Sequence, residues 1–133
     1  MPLFIWKRSY EINIPEIDIQ HRRLVGLINQ LYEAMKEARG QKVMDHILDE
    51  LQTQIQEHFD TEERYMEKHR YPGFETHRQE HHGLGSQVIA LQELRDHGGR
   101  ISTPELMSFL CNWLRDHLVG SDKEFGEFLS RSR

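Results

Sequence analysis

Residues 58–81 read HFDTEERYMEKHRYPGFETHRQEH. His58 and Glu62 stand four apart, Tyr71-Pro72-Gly73 interrupts, and His77 and His81 again stand four apart. On an α-helix a step of four returns a side chain to nearly the same face, about one turn further on. One helix therefore offers an imidazole and a carboxylate to one side, and the next offers two imidazoles. A helix–turn–helix hairpin points these four groups at one another, an arrangement suited to a metal ion.

The same rhythm extends in both directions. Residues 1–16 are expected to form an extended arm, and 17–130 a bundle. Helix A carries Ile17, His21, Leu24, Ile28, Leu31 and Met35 in steps of four and three, one stripe of an amphipathic helix. Pro15 and Asp18 mark its start, with Asp18 near the N-cap, and Gly40 suits its end. Helix B carries Met44, Leu48, Leu51, Ile55, His58, Glu62 and Met66, and helix C carries Phe74, His77, His81, Leu84, Val88 and Leu91. Gly98-Gly99 marks the next loop. Ser102 or Thr103 caps helix D, with Pro104 in its first turn and Glu105 placed for a capping box. Helix D begins in step with Leu106, Leu110, Trp113 and His117, and then slips. Asp122 lies five beyond His117, and Phe125 and Leu129 follow Asp122. On a regular helix that step leaves Asp122 about 140° from His117. A local distortion is predicted there, a π-bulge eased by Gly120.

Four helices with short links predict an all-α, antiparallel up-down-up-down four-helix bundle with an extended N-terminal arm, one domain over 1–133. The totals agree. At 133 residues the chain makes one domain with a sizeable core. A net charge of -5 provides no basic footprint for nucleic acid. The single cysteine, Cys111, has no internal partner and fits a reducing compartment. No run is long enough to span a membrane. The apolar start MPLFIW lacks a basic n-region and is expected to pack as the arm, not to act as a signal peptide.

Within the stripes, His21, His58, Glu62, His77, His81, His117 and Asp122 interrupt the apolar rhythm. His21 lies early in A and His77 and His81 early in C. His58 and Glu62 lie late in B, and His117 and Asp122 late in D. In an alternating bundle these four places are one end, so all seven side chains meet at one depth. A lone histidine on an apolar face is usually a satisfied core or boundary residue, and His46, His69, His82 and His97 are read as solvated. Seven polar interruptions at one level are another matter. Each buried polar group without a partner costs about 1–3 kcal/mol, and metal ions remove that penalty. Seven ligands suit two ions bridged by carboxylates. Spacing alone leaves iron, zinc, copper and nickel open.

These residues also resemble the hemerythrin family, in its single-domain bacterial form. The resemblance is carried by Ile17-Asp18-Ile19-Gln20-His21, by His58-Phe59-Asp60-Thr61-Glu62-Glu63, and by Met66 through Tyr71-Pro72. His77 with His81, Trp113-Leu114, His117 with Asp122, and Trp6 complete it. It implies reversible dioxygen binding at a non-haem di-iron centre. His77, His81 and His117 would hold one iron and His21 and His58 the other. Glu62, Asp122 and a solvent-derived oxo or hydroxo group would bridge them. Phe59, Trp113 and Leu114 would wall a dry pocket. Asp18, Glu63, Glu80 and Asp116 stand beside ligands as candidate acceptors for the outer imidazole nitrogens, with solvation the commoner fate of such residues. The expectation is a cytoplasmic monomer that binds dioxygen for carriage, storage or delivery, not an enzyme. A structural zinc bundle is the poorer reading because such sites are thiolate-rich. A ferritin-like oxidase is poorer because Glu-x-x-His pairs are absent.

Overall fold

A computed structural model describes residues 4–37 and 40–131. Four antiparallel rods form the bundle: α1 (Pro15–Lys36), α2 (Gly40–Lys68), α3 (Phe74–Asp96), and a fourth made of α4 (Thr103–Val119) and α5 (Ser121–Arg131). No strand occurs among the described residues.

Local chemistry sets the ends. Proline stands first in α1, where its missing N–H costs nothing. Asp18 is not the N-cap. It accepts a hydrogen bond from Ile12 N at 3.0 Å and so ties the arm to the helix. The arm is also less extended than expected, with a 3-10 turn at Arg8–Tyr10. Gly40 does not end α1. That helix stops at Lys36 with Glu37 as C-cap at φ -92, where no glycine is needed, and Gly40 opens α2. Helix α2 closes through Arg70 in the left-handed region at φ 52. Arg70 N bonds Glu67 O and Tyr71 N bonds Met66 O, the paired bonds of a Schellman stop. Ser102 caps α4, accepting from Glu105 N at 3.4 Å.

Between His117 and Asp122 the helix is distorted as expected, but by a break and not a π-bulge. Gly120 N bonds Asp116 O, closing α4, while Gly120 O accepts from Glu124 N, opening α5. The glycine adopts φ -104, ψ -96. A Cβ there would stand 2.8 Å from Asp116 O, so this break admits no side chain without a backbone shift.

The apolar stripes pack into two clusters. The larger gathers Leu24, Ile55, Phe59, Leu84 and Leu114 with the rest of the bundle's length. The smaller joins Ile12, Ile14, Ile17, Met66, Phe125 and Leu129 at one end. On every rod the polar interruptions fall between a residue of one cluster and a residue of the other: Ile17 then Leu24 in α1, Ile55 then Met66 in α2. The polar layer thus divides the core. The arm seals the smaller cluster, and Gly126 allows it to. A Cβ at Gly126 would stand 2.8 Å from Ile12 Cβ. Gly126→Leu should therefore cost about 1–3 kcal/mol by overpacking, read as a lower urea midpoint. An unchanged midpoint would mean that the arm is not held there.

Candidate metal centre

All seven interrupting side chains reach one buried layer. His21, His58, Glu62 and Asp122 are 0% exposed, His77 and His81 2%, and His117 4%. The four remaining histidines, His46, His69, His82 and His97, are exposed.

The carboxylates divide their oxygens between two sets of imidazoles. Glu62 Oε1 lies 2.8 Å from His58 Nε2, 3.4 Å from His117 Nε2 and 3.5 Å from His21 Nε2. Its Oε2 lies 3.0 Å from both His77 Nε2 and His81 Nε2. Asp122 does likewise: Oδ2 contacts His21 Nε2 and stands 2.8 Å from His117 Nε2, while Oδ1 stands 3.0 Å from His77 Nε2. Two overlapping ligand sets result. One is His21, His58, Glu62, His117 and Asp122; the other is Glu62, His77, His81 and His117.

The geometry fits metal better than hydrogen bonding. Although these atoms are close, neither oxygen of Glu62 or Asp122, nor Nε2 of His77 or His81, has an aligned hydrogen-bond partner. Their lone pairs converge instead of meeting N–H groups. Ligands about 2.1 Å from an ion and at right angles lie about 3.0 Å apart, which is the common separation in this layer.

Electrostatics point the same way. Burial pushes the His117 imidazole down, but the Asp122 and Glu62 carboxylates outweigh it and hold it up at about 10. Burial also opposes protonation of His77, yet the adjoining Asp122 and Glu62 carboxylates raise it to about 9. His21 is raised against burial chiefly by Asp122. Burial pushes Glu62 up, but His58 and His117 hold it well below the usual carboxylate range. Burial and the Glu62 charge push Asp122 up, and His117 and His21 bring it well below. Without metal, protons on His21, His77 and His117 serve as the cations.

Around this layer, two outer imidazole nitrogens have side-chain acceptors. His81 Nδ1 lies 3.1 Å from Glu63 Oε2, so Glu63, one of the four candidates for which solvation was the commoner fate, is an acceptor. Of the other three, Asp18 holds the arm, Glu80 accepts from Ser121 Oγ beside the helix break, and Asp116 is exposed. The acceptor for His58 Nδ1 is one that sequence reasoning missed, Gln20 Oε1 at 3.0 Å. Its signal was present: Gln20 stands three beyond Ile17, at the edge of the buried face. The aromatic neighbours cover the imidazoles directly. Phe59 stacks on His81 with centroids 3.8 Å apart and planes at 5°. Trp113 stacks on His117 at 4.7 Å and 15°. Leu114 is 1% exposed, one turn before His117. Trp6 packs from the arm against the larger cluster, under the Arg22 guanidinium.

Comparison with known proteins places the fold and this layer together. The family model of the hemerythrin HHE cation binding domain matches residues 13–129. The bacteriohemerythrin of Clostridium acetobutylicum is 30% identical over 129 residues, covering 92% of this chain and 98% of that protein. That of Stenotrophomonas maltophilia is 32% identical over 127 residues, covering 96% of this chain and 82% of that protein. A crystal structure of wild-type hemerythrin matches with a TM-score of 0.85 at 26% identity, over 94% of this chain and 96% of that one. The family model's match over most of the chain shows that the chain belongs to the hemerythrin HHE cation-binding family.

Proposed function

We propose that this protein binds dioxygen reversibly at a non-haem di-iron centre, for oxygen carriage, storage or delivery. The observation that carries this reading is the division of Glu62 and Asp122, each with one oxygen toward either set of imidazoles. On the family pattern His77, His81 and His117 would hold one iron and His21 and His58 the other, with Glu62 and Asp122 shared between them. His117 lies within reach of both sets, and the family pattern assigns it to the first. Held there, two ferrous ions would supply the electrons needed to bind a gas. In the structure His117 faces Glu62 Oε1 and Asp122 Oδ2, the oxygens turned to His21 and His58, so it is the family pattern that would leave the His21/His58 side one imidazole short.

The surroundings suit a gas carrier better than an enzyme. With its groups at most 4% exposed, the layer presents little of its ligand surface to solvent. A groove of about 360 Å³ between α3 and α4, lined by Gly83, Leu84, Phe109 and Trp113, reaches His117 and offers a diatomic molecule an approach. Phe59, Trp113 and Leu114 keep water from the layer, which slows irreversible oxidation. Leu114→Ala should therefore shorten the lifetime of the oxygenated form and cost about 3 kcal/mol of stability. An unchanged autoxidation rate would show that Leu114 guards nothing. The reading extends to a monomer in the cytoplasm, with the free, buried Cys111 in keeping with a reducing compartment. Among the described residues no helix is long and apolar enough to cross a membrane.

The test is spectroscopic. A ferrous sample exposed to air should develop an oxygen-to-iron charge-transfer band that disappears on degassing. Permanent oxidation on first exposure, with turnover of an added substrate, would establish an enzyme instead.

A further inference from the structure

We infer that the two halves of the centre are unequal by construction: Glu63, on the outer nitrogen of His81, makes the His77/His81 half the tighter metal position, and the neutral Gln20 on His58 leaves the His21/His58 half the looser one. This rests on the two-metal reading above and deepens it.

The argument follows the protons. Thr61 Oγ1 donates to Glu57 O at 2.9 Å, so its single proton is committed and it accepts from Gln20 Nε2 at 3.0 Å. The Gln20 amide is thereby oriented, with its carbonyl oxygen on His58 Nδ1. An acceptor there makes Nδ1 the protonated nitrogen and leaves the Nε2 lone pair bare, facing Glu62 Oε1. Glu63 does the same for His81, whose Nε2 faces Glu62 Oε2. The two rings are set alike, but their acceptors differ in charge. A carboxylate on the outer N–H draws that proton away and makes the ring a stronger donor to metal, and an amide does so far less. On the looser half, His21 Nδ1 is buried with no hydrogen-bond partner among the described residues, which adds nothing to that half. Glu63 and Gln20 act through the imidazoles and are positioning residues.

The test needs no oxygen. Metal-stripped full-length protein is titrated with Co²⁺ in competition with a chromophoric chelator, and the two stepwise affinities are read. Wild type should take up two ions in resolved steps. Glu63→Gln should weaken the tighter step about tenfold and leave the other unchanged. Glutamine presents a carbonyl to the same hydrogen bond, so a merely structural role would survive this change and only the charge is removed. Gln20→Glu should do the opposite and strengthen the looser step, with Thr61 turning its proton to the new carboxylate. The second variant keeps the test decisive if the first fails to fold. Equal steps in wild type, or neither variant moving its own step, overturns the inference while the two-metal reading stands. Uptake of a single ion by wild type overturns both.

Discussion

Stripped of metal, the protein should be most stable between about pH 4.5 and 6.5 and should lose stability as the pH rises toward 10. His77 and His117 are raised from 6.5 to about 9 and about 10, so their contribution is fully present below 6.5 and disappears as the pH passes through those folded values. Glu62 and Asp122 are lowered from 4.5 and 3.8, so theirs is present above those values and is lost as the pH falls further. A tenfold gain in proton affinity on folding corresponds to about 1.4 kcal/mol. The two histidines together represent on the order of 8 kcal/mol, shared with the carboxylates they face and comparable with the whole stability of a small domain. Raising the pH removes the buried cations and leaves two buried carboxylates facing each other. In the metal-loaded protein the ions replace the protons, so this alkaline loss should vanish, and loading at neutral pH should release protons to the buffer. Urea midpoints of stripped and loaded protein between pH 5 and 10 check it. A stripped protein as stable at pH 10 as at pH 6 would show that protonated imidazoles do not hold the empty layer together.

Much of this was legible because helices convert sequence spacing into direction. Steps of four and three put His21 beneath Leu24 and His58 beneath Ile55, and alternation of the rods brought early positions of α1 and α3 level with late positions of α2 and the fourth rod. Less legible were features decided by contacts between elements. The five-step from His117 to Asp122 demanded a distortion, but its form depends on a Cβ that Gly120 lacks and on the carbonyl of Asp116 behind it. Gln20 and Thr61 belong to different helices, and their pairing behind His58 appears only once α1 and α2 are docked. Gly40 was misplaced because glycine has two uses at helix ends, and α1 ends in a conformation that required none. Arg70 was missed as the stop of α2 because a left-handed arginine carries no compositional sign. Periodicity reports what faces inward. It does not report which hydrogen bonds then form across the interface.

Glu62→Gln should reduce metal content from two ions per chain to one and abolish the reversible oxygen band, while the helical fold survives. Glutamate presents a lone pair to each side: Oε1 to His21, His58 and His117, Oε2 to His77 and His81. Glutamine keeps the shape but has one carbonyl oxygen, and its NH₂ group offers hydrogens where a ligand is needed. Whichever way the amide turns, one side loses its shared oxygen. Truncation to alanine would be a poorer test, since breaking a buried charged network costs about 3–5 kcal/mol and confounds folding with binding. The conservative change leaves the neighbours in both apolar clusters, Ile55 and Met66, in place on the same helix. A His69→Ala control at the exposed residue just after α2 should keep full metal content and reversible oxygenation. Metal analysis with visible spectra before and after degassing decides the matter. Two ions and an intact reversible band in Glu62→Gln would mean that the carboxylate does not bridge, and the paired centre would have to be rebuilt around Asp122 alone.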